Sequence, residues 1–437
     1  MLAPALQSLY DARRVDREGL RARLATVGSL ATGLATGQAR AVLRALAPRA
    51  PAPPITVHSA LLAEPYDCLR DPAVRHVSGF FGPIERMARA AGAAIEFLPV
   101  DFHGGARLFA TGDPPQAIAV LVSPPDAEGY CSFGLHAGAT CEPLRAAGRD
   151  PARLAIAEIN PHLPRVAGVA EHGANRVHLS EVDCLIEDDT PLMAIPYAEP
   201  SAEERAIAAH VGTLVREGAT LQFGIGGIPN AVAELLSAAP IGDFGIHTEM
   251  VSDGIMRLHT AGKVTNRKGV FDGVSVATFA LGTPELYRWL DGNPLVRLLP
   301  VGVTNDVGVM ARTRRFTSIN GALAVDVHGQ VVADTIAGRQ YSGIGGSETF
   351  VRGAREAPEG RSILCLRSTY VADGRRHSTI VRALPAGSLV TTPRHQVQYV
   401  VTEHGVALLA GRTDGERAAA LTAVAAPEFR GTLARPK

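Results

Sequence analysis

The segment GIHTEMVSDG, residues 245–254, carries an acid that could act chemically, Glu249. Glu249 follows an apolar stretch and a glycine-rich turn, and Asp253 lies four residues later. Glutamate usually lies in water at the protein surface, so the segment alone is also compatible with a solvated charge. The chemical alternative is a carboxylate nucleophile, because the chain has no obvious serine or cysteine nucleophile.

Common catalytic signatures are missing from the sequence. It has no G-x-S-x-G elbow, no H-E-x-x-H motif and no EF-hand pattern. His247 lies two residues before Glu249 without a partner at metal-ligand spacing, which favours a packed histidine over a ligand. No metal site is therefore predicted.

Two glycine-rich segments could bring a ligand close to the backbone. LQFGIGGIPNAV (221–232) predicts a strand, a glycine turn and a helix whose first turn contains Pro229. Free N–H groups at such a helix start bind anions, although a tight turn without a ligand is the alternative. Pro229 occupies the third glycine position of a dinucleotide fingerprint, and no Walker motif follows, so a Rossmann-type oxidoreductase is disfavoured. GRQYSGIGGSETFVRGA (338–354) could present backbone N–H groups to an oxyanion, or form a mobile surface loop.

The elements that must position these segments alternate along the chain. Apolar runs such as AIAVLVSP (117–124) and SILCLRST (362–369) alternate with helical patterns such as SAEERAIAAHVGTLVREG (201–218). Continuously apolar strands between helices predict an α/β fold with mainly parallel sheets. Two domains are expected, 1–198 and 199–437, with the boundary near two prolines and an acidic capping signal.

A weak internal echo predicts that the two domains are related. GLATGQARAVLRAL (33–46) resembles GIGGIPNAVAELL (224–236). The D-x-x-G motif at 126–129 recurs at 326–329, a similar distance along the chain. Similar offsets are typical of two copies of one α/β unit.

Composition limits the classes of partner. The 437 residues include 43 basic and 43 acidic side chains and 5% aromatics, which argues against nucleic-acid or membrane-surface binding. Five cysteines without a C-x-x-C pair predict free thiols in a reducing compartment. With no apolar run long enough for a membrane helix and no signal peptide, a cytoplasmic protein is expected.

Ordered blocks across most of the chain resemble the acetyl-CoA hydrolase/transferase family, most closely its 4-hydroxybutyrate CoA-transferase-like members. The first 60 or so residues match least. The blocks are VSPPDAEGYCSFG (122–134), HLSEVDCLIEDDTPL (178–192), ATLQFGIGGIPNAV (219–232), GIHTEMVSDGIMRLHTAGKVTN (245–266), SINGALAVDVHGQVVAD (318–334), YSGIGGSETFVRGA (341–354), GSLVTTPRHQVQYVVTEHGVALLAGRT (387–413) and APEFR (426–430).

The resemblance implies two open α/β domains of CoA-transferase type with the active site in the cleft between them. It implies a ping-pong exchange of CoA between an acyl-CoA and a free carboxylate, through a glutamyl-CoA thioester on Glu249. Glu348 and Glu403 are the rival glutamates. The residues that match CoA-contacting positions of the family are Gly224, Ile225, Gly226, Gly227, Ile228, Asn320 and Gly343.

The resemblance leaves the substrate and the final step open. Acetate, propionate, butyrate, 4-hydroxybutyrate and succinate all remain candidates, and Ala39, His404 and Ala426 depart from residues common in the family. Hydrolysis of acyl-CoA by the same glutamate is one alternative, and a non-catalytic CoA- or metabolite-binding protein is another. CoA is expected as a substrate, with no permanently bound cofactor, and a homodimer or homotetramer is expected.

Overall fold

The structure is a computed structural model that describes residues 2–434. The chain forms two compact units. The first unit runs to Ile195 and also contains Val276–Thr304, whereas the second contains Pro196–Ser275 and the chain from Asn305 onward. The units differ from the two continuous ranges expected from the sequence, because Val276–Thr304 returns to the first unit.

The strands are short, and single strands or runs of strands alternate with helices along the described chain. In chain order they are β1 (Ser29–Thr32), β2 (Ile55–Ser59), β3 (Val74–Ser78), β4 (Ile95–Phe97), β5 (Ala117–Val122), β6 (Tyr130–Ser132), β7 (Leu154–Ile159), β8 (Arg176–His178), β9 (Cys184–Glu187), β10 (Thr220–Phe223), β11 (Gly245–Ile246), β12 (Met250–Val251), β13 (Ser275–Ala277), β14 (Phe279–Ala280), β15 (Val296–Leu298), β16 (Phe316–Gly321), β17 (Ala324–Asp326), β18 (Val331–Val332), β19 (Thr335–Ile336), β20 (Arg339–Gln340), β21 (Arg361–Cys365), β22 (Thr369–Ala372), β23 (Arg375–Ser378), β24 (Ile380–Val381), β25 (Tyr399–Thr402) and β26 (Gly405–Leu408).

The helices of the described residues are α1 (Pro4–Arg13), α2 (Arg17–Leu24), α3 (Arg40–Ala45), α4 (Pro83–Ala90), α5 (Phe102–Ala110), α6 (Cys141–Ala147), α7 (Ala202–Gly212), α8 (Gly227–Ala238), α9 (Asp253–Thr260), α10 (Pro284–Leu290), α11 (Val301–Thr304), α12 (Val307–Ala311), α13 (Ser347–Glu356), α14 (Asp414–Val424) and α15 (Pro427–Leu433). Between residues 2 and 434, no helix is both long and apolar enough to cross a membrane.

The first unit is built on a seven-stranded parallel sheet with the order β4-β3-β2-β1-β5-β7-β9. All six residues of β5 are buried, which explains why this segment reads as a continuous apolar run rather than an alternating one.

The second unit contains a six-stranded sheet with the order β11-β10-β16-β21-β25-β26. Its strands are parallel as far as β25, and β26 returns antiparallel as a hairpin. The predicted α/β fold with mainly parallel sheets is confirmed.

The internal echo corresponds to repeated local structure in the two units. In each sheet the first strand of the unit, β1 or β10, lies between strands that come later in the chain. In the D-x-x-G turns, the carbonyl oxygens of Asp126 and Asp326 accept the N–H groups of Gly129 and Gly329 at 3.0 and 2.8 Å. Each aspartate Oδ1 also accepts the backbone N–H groups two and four residues later. The two glycines have φ values of 85° and 89°, so the two turns share one conformation.

Candidate active site

Glu249 lies in the bend between β11 and β12, at the carboxyl edge of the second unit's sheet. Its side chain is half-buried, whereas the preceding His247 and Thr248 are fully buried. The Thr248 hydroxyl donates a hydrogen bond to the Phe223 carbonyl at 3.2 Å, which ties the bend to the end of β10. The structure therefore places this carboxylate on a constrained backbone rather than on a free loop.

Two residues from later in the chain surround the Glu249 carboxylate. Asn305, which is fully buried, donates from Nδ2 to Glu249 Oε2 at 2.7 Å. Gly346 packs against the same oxygen. A Cβ atom added to this glycine would be 2.0 Å from Oε2 and 2.4 Å from Asn305 Nδ2. Any side chain at residue 346 would displace this pair.

Gly346 is also the N-cap of α13, which brings a helix start to the carboxylate. The N-terminus of a helix favours nearby negative charge, because its first N–H groups have no partners within the helix. The site therefore combines an amide donor with a helix start beside one carboxylate, an arrangement that stabilises an anion.

His247 packs among aromatic rings below the bend. Its ring centroid lies 5.8 Å from that of Phe316 and 6.5 Å from that of Phe350, both with edge-on geometry. Within residues 2–434, no group of three or more His, Cys, Asp or Glu side chains is placed to hold a metal ion. The environment of His247 fits the packed histidine that the sequence favours.

The glycine turn after β10 leads directly into α8, with Pro229 in the first turn of that helix. Gly226, the N-cap, has φ +116°, a conformation that L side chains rarely adopt. A Cβ atom at Gly224 or Gly226 would meet nothing within 4 Å, so the backbone of this turn is open to a ligand. At Gly227, by contrast, a Cβ atom would be 2.0 Å from Glu204 Oε2, so the Glu204 carboxylate packs closely against the helix start.

Asn320 lies near the end of β16, beside β10. Its side-chain amide forms a reciprocal pair with Gln222, with Nδ2 to Oε1 at 3.0 Å and Oδ1 from Nε2 at 3.1 Å. Each amide keeps a second N–H and a second lone pair beyond this pair. The pairing orients Asn320 at the same carboxyl edge of the sheet as the glycine turn.

The loop that contains Gly343 is tied down at its start. The backbone N–H groups of Tyr341 and Ser342 donate to the Asp334 carbonyl at 2.9 and 3.0 Å. Gln340 Nε2 donates to Asp334 Oδ2 at 2.9 Å and to the Ser342 carbonyl at 3.0 Å. These bonds favour an ordered loop over the mobile one that the sequence left open.

The topology explains why these segments share one edge. After β10 the chain forms β11 on one side of it and later β16 on the other side. In open parallel sheets, ligands bind outside the carboxyl ends of strands at such a reversal of strand order. The glycine turn, Glu249 and Asn320 follow or end these three strands.

Comparison with known proteins identifies the family. Residues 282–436 match the model of the acetyl-CoA hydrolase/transferase C-terminal domain. The 4-hydroxybutyrate coenzyme A transferase of Clostridium kluyveri is 38% identical over 361 residues, covering 82% of this chain and 81% of that protein. The chain belongs to the acetyl-CoA hydrolase/transferase family.

Two further similar proteins support this assignment. The succinyl-CoA:cyclohexane-1-carboxylate CoA transferase of Geobacter metallireducens is 38% identical over 363 residues, covering 83% of this chain and 80% of that protein. The solved structure of RipA from Yersinia pestis superposes with a TM-score of 0.89 at 33% identity, covering 98% of this chain and 97% of RipA. The predicted family, its CoA-transferase fold and the enzyme class are confirmed.

The two rival glutamates of this family member have different surroundings. Both Glu403 carboxylate oxygens accept the Ser368 N–H, at 3.2 and 2.9 Å, and Oε1 also accepts the Ser368 hydroxyl at 2.5 Å. Glu403 therefore holds the chain that follows β21. Glu348 lies in the first turn of α13, where an acidic side chain stabilises the helix. Neither arrangement resembles the amide and glycine contacts of Glu249.

Two residues of the site were missed by sequence reasoning. Asn305 lies 56 residues after Glu249 and reaches it only through the fold. Its one local signal is the following Asp306, whose Oδ1 accepts the Val309 N–H at 2.8 Å and caps α12. Gln222, the partner of Asn320, reads as an ordinary strand residue.

Proposed function

We propose that this protein transfers CoA between a short-chain acyl-CoA and a free carboxylate, with Glu249 as the nucleophile. The surroundings of Glu249 carry the proposal. Its half-buried carboxylate accepts a hydrogen bond from the Asn305 amide and packs against Gly346. A surface glutamate needs neither contact, whereas a carboxylate nucleophile needs a fixed orientation.

The proposed exchange proceeds in balanced steps. A Glu249 oxygen attacks the thioester carbonyl and forms a carbon–oxygen bond, the carbon–sulfur bond breaks, and CoA leaves as a thiolate, which gives a mixed acyl–glutamyl anhydride. The thiolate then attacks the glutamyl carbonyl, which forms the glutamyl-CoA thioester and releases the first acid as its carboxylate. An incoming carboxylate reverses both steps and leaves as the new acyl-CoA. Covalent catalysis of this kind divides one difficult transfer into easier ones.

The neighbours of Glu249 have roles in these steps. The Asn305 N–H that donates to Oε2 would also donate to that oxygen when the glutamyl carbonyl is attacked and becomes an oxyanion. The start of α13 adds its backbone dipole at Gly346. Both groups are in place before the reaction, so no reorganisation is needed when the charge develops.

The proposed CoA contacts come from three segments at the same edge of the sheet. The open backbone of the glycine turn and its helix start suit close approach and an anionic group. The spare N–H of Asn320 and the anchored loop at Gly343 suit polar contacts. The proposed contact residues are Gly224, Ile225, Gly226, Gly227, Ile228, Asn320 and Gly343.

The remaining expectations belong to the same proposal. CoA enters as a substrate and small carboxylic acids as partners, without a resident cofactor, nucleic acid or membrane. We place the protein in the cytoplasm as a homodimer or homotetramer. The five cysteines are free and buried, which supports a reducing compartment.

Mass spectrometry after incubation with acetyl-CoA and sodium borohydride tests the nucleophile. Borohydride reduces a glutamyl thioester to an alcohol, so the wild-type peptide that contains residue 249 should lose mass. Glu249→Gln should show no such loss, and Glu403→Gln should react as the wild type does. Reduction at Glu403 or Glu348 instead would refute the assignment of Glu249.

The same preparation separates transfer from hydrolysis. CoA transfer requires a second acid, so acetyl-CoA should be stable without an acceptor and should exchange when butyrate is added. Rapid release of free CoA without any acceptor would identify a hydrolase that uses the same glutamate. Binding of acyl-CoA without reduction of any residue would favour a non-catalytic binding protein.

A further inference from the structure

The strand that precedes Glu249 lies at the edge of its sheet, and the segment 263–268 covers that edge. Phe244 donates its N–H to the Lys263 carbonyl at 2.9 Å and accepts the Thr265 N–H at 2.9 Å. Backbone pairing with this segment stops at Phe244, two residues before the end of β11. The next edge position, Ile246, is held by side chains.

Two buried side chains take the place of a neighbouring strand at Ile246. Asn266 Oδ1 accepts the Ile246 N–H at 2.9 Å, and Lys268 Nζ donates to the Ile246 carbonyl at 3.3 Å. Lys268 Nζ also donates to the Val274 carbonyl. Each of the two side chains belongs to a residue that is 2% exposed. We call Asn266 and Lys268 the edge clamp.

The alkyl part of Lys268 packs on the same strand. A Cβ atom at Gly245 would lie 2.3 Å from Lys268 Cγ and 2.7 Å from Cδ. The absence of a side chain at Gly245 leaves room for the alkyl chain of Lys268, which lies across this residue. The edge clamp thus controls both the hydrogen bonds of Ile246 and the surface of Gly245, three and four residues before Glu249.

The edge clamp contains one of the few lysines of this chain. Only three of the 43 basic residues are lysines, namely Lys263, Lys268 and Lys437, and the rest are arginines. Arginine is larger, planar and permanently charged, whereas a lysine can be buried and lose its proton. Burial lowers the pKa of Lys268 to about 7, although the negative charge of Asp272 acts to raise it. A guanidinium could not be accommodated in this way.

We propose that Asn266 and Lys268 are positioning residues of the CoA-transfer reaction, which hold Ile246 so that the Glu249 carboxylate stays in line for attack. This inference rests on the proposed function of Glu249. Neither residue needs to touch substrate. Their effect should therefore fall on the chemical step rather than on the binding of acyl-CoA.

Steady-state kinetics and borohydride trapping of the full-length protein test the edge clamp. Lys268→Met keeps the stem on Gly245 and removes the amine. It should lower kcat and the trapping rate about 10²-fold and leave KM for acyl-CoA unchanged, as expected for a misplacement of about 1 Å. Lys263→Met is the matched control, because Lys263 Nζ also donates to a backbone carbonyl, but to that of Ala239.

Lys268→Arg and Lys263→Arg add a conservative comparison. Arginine should fail to restore kcat at residue 268, where the site is buried, and should be tolerated at residue 263, which is partly exposed. Asn266→Ala should lower kcat in the same direction as Lys268→Met, and it decides the question if Lys268→Met does not fold. Circular dichroism and thermal unfolding establish which variants fold.

The outcomes separate the two proposals. If wild-type protein is not trapped at Glu249, the proposed function fails and the inference fails with it. If wild type is trapped but Lys268→Met keeps its kcat, or loses no more than Lys263→Met does, only the edge clamp is refuted. If neither Lys268→Met nor Asn266→Ala folds, the clamp is also refuted, because a role local to this strand should leave the protein folded.

Discussion

Replacement of Gly346 by alanine is the sharpest test of the carboxylate's surroundings. Gly346 has φ −98° and ψ 2°, which any L residue can adopt, so the backbone itself tolerates alanine. The only new group is a methyl, and it would lie 2.0 Å from Glu249 Oε2 and 2.4 Å from Asn305 Nδ2. Any effect of Gly346→Ala on the reaction therefore arises from this contact.

The size of the effect follows from the distances. Real Cβ atoms essentially never come within 3.0 Å of such neighbours. The carboxylate must therefore retreat by about 1 Å, and a misplacement of about 1 Å lowers a rate about 10²-fold. Loss of the Asn305 hydrogen bond to a charged oxygen gives a similar figure, about 1.5–3 kcal/mol, because about 1.4 kcal/mol corresponds to tenfold in rate.

The assay measures kcat and KM for acetyl-CoA to butyrate exchange, beside thermal unfolding. Gly346→Ala should lower kcat about 10²-fold with little change in the unfolding temperature. Gly415→Ala is the matched control, since a Cβ atom there would meet nothing within 4 Å, and it should keep wild-type kcat. A Gly346→Ala protein with wild-type kcat would show that the reaction does not depend on the close packing of residue 346 against the carboxylate, and the reasoning would be wrong.

Three further substitutions separate chemistry from stability. Asn305→Ala should lower kcat by about 10- to 10²-fold with a smaller change in KM, because in the proposed mechanism its amide donates to Glu249 throughout the reaction. Ser368→Ala should lower the unfolding temperature but keep kcat, because it removes the hydroxyl donor to Glu403 and no group near the proposed chemistry. Burial raises the pKa of Glu158 from its ordinary 4.5 to about 8. Between these values the folded protein holds a proton that the unfolded chain has released, so stability should fall as pH rises from about 5 to about 8. Glu158→Gln should remove that fall, as measured by denaturant unfolding at both pH values.

Local patterns were enough to predict much of the fold. The apolar run at β5 and the glycine turn after β10 each predicted an element that the structure contains. The D-x-x-G echo predicted two related units, and the structure shows that it marks one repeated turn, in which an aspartate binds its own backbone and a glycine has positive φ. The return of Val276–Thr304 to the first unit has no such local code, because it depends on tertiary packing.

The candidate site was predictable only where its residues lie in continuous motifs. Glu249 and the glycine turn stand in recognisable segments, and the structure brings them to one sheet edge. Asn305 belongs to no motif, and its contact with Glu249 depends on how α12 and α13 pack in the second unit. The pairing of Gln222 with Asn320 likewise depends on strand register, which a single strand does not specify.

The surroundings of Glu249 argue against the solvated-charge interpretation through three independent features. The two preceding residues are fully buried, so the backbone cannot swing the carboxylate freely into water. The carboxylate has a buried amide donor, and burying such a donor without a partner would cost about 1–3 kcal/mol. Gly346, the second residue against the carboxylate, has no side chain, which leaves room there for the carboxylate itself. A surface glutamate would require none of these, whereas a nucleophile that must attack one carbonyl carbon requires all three.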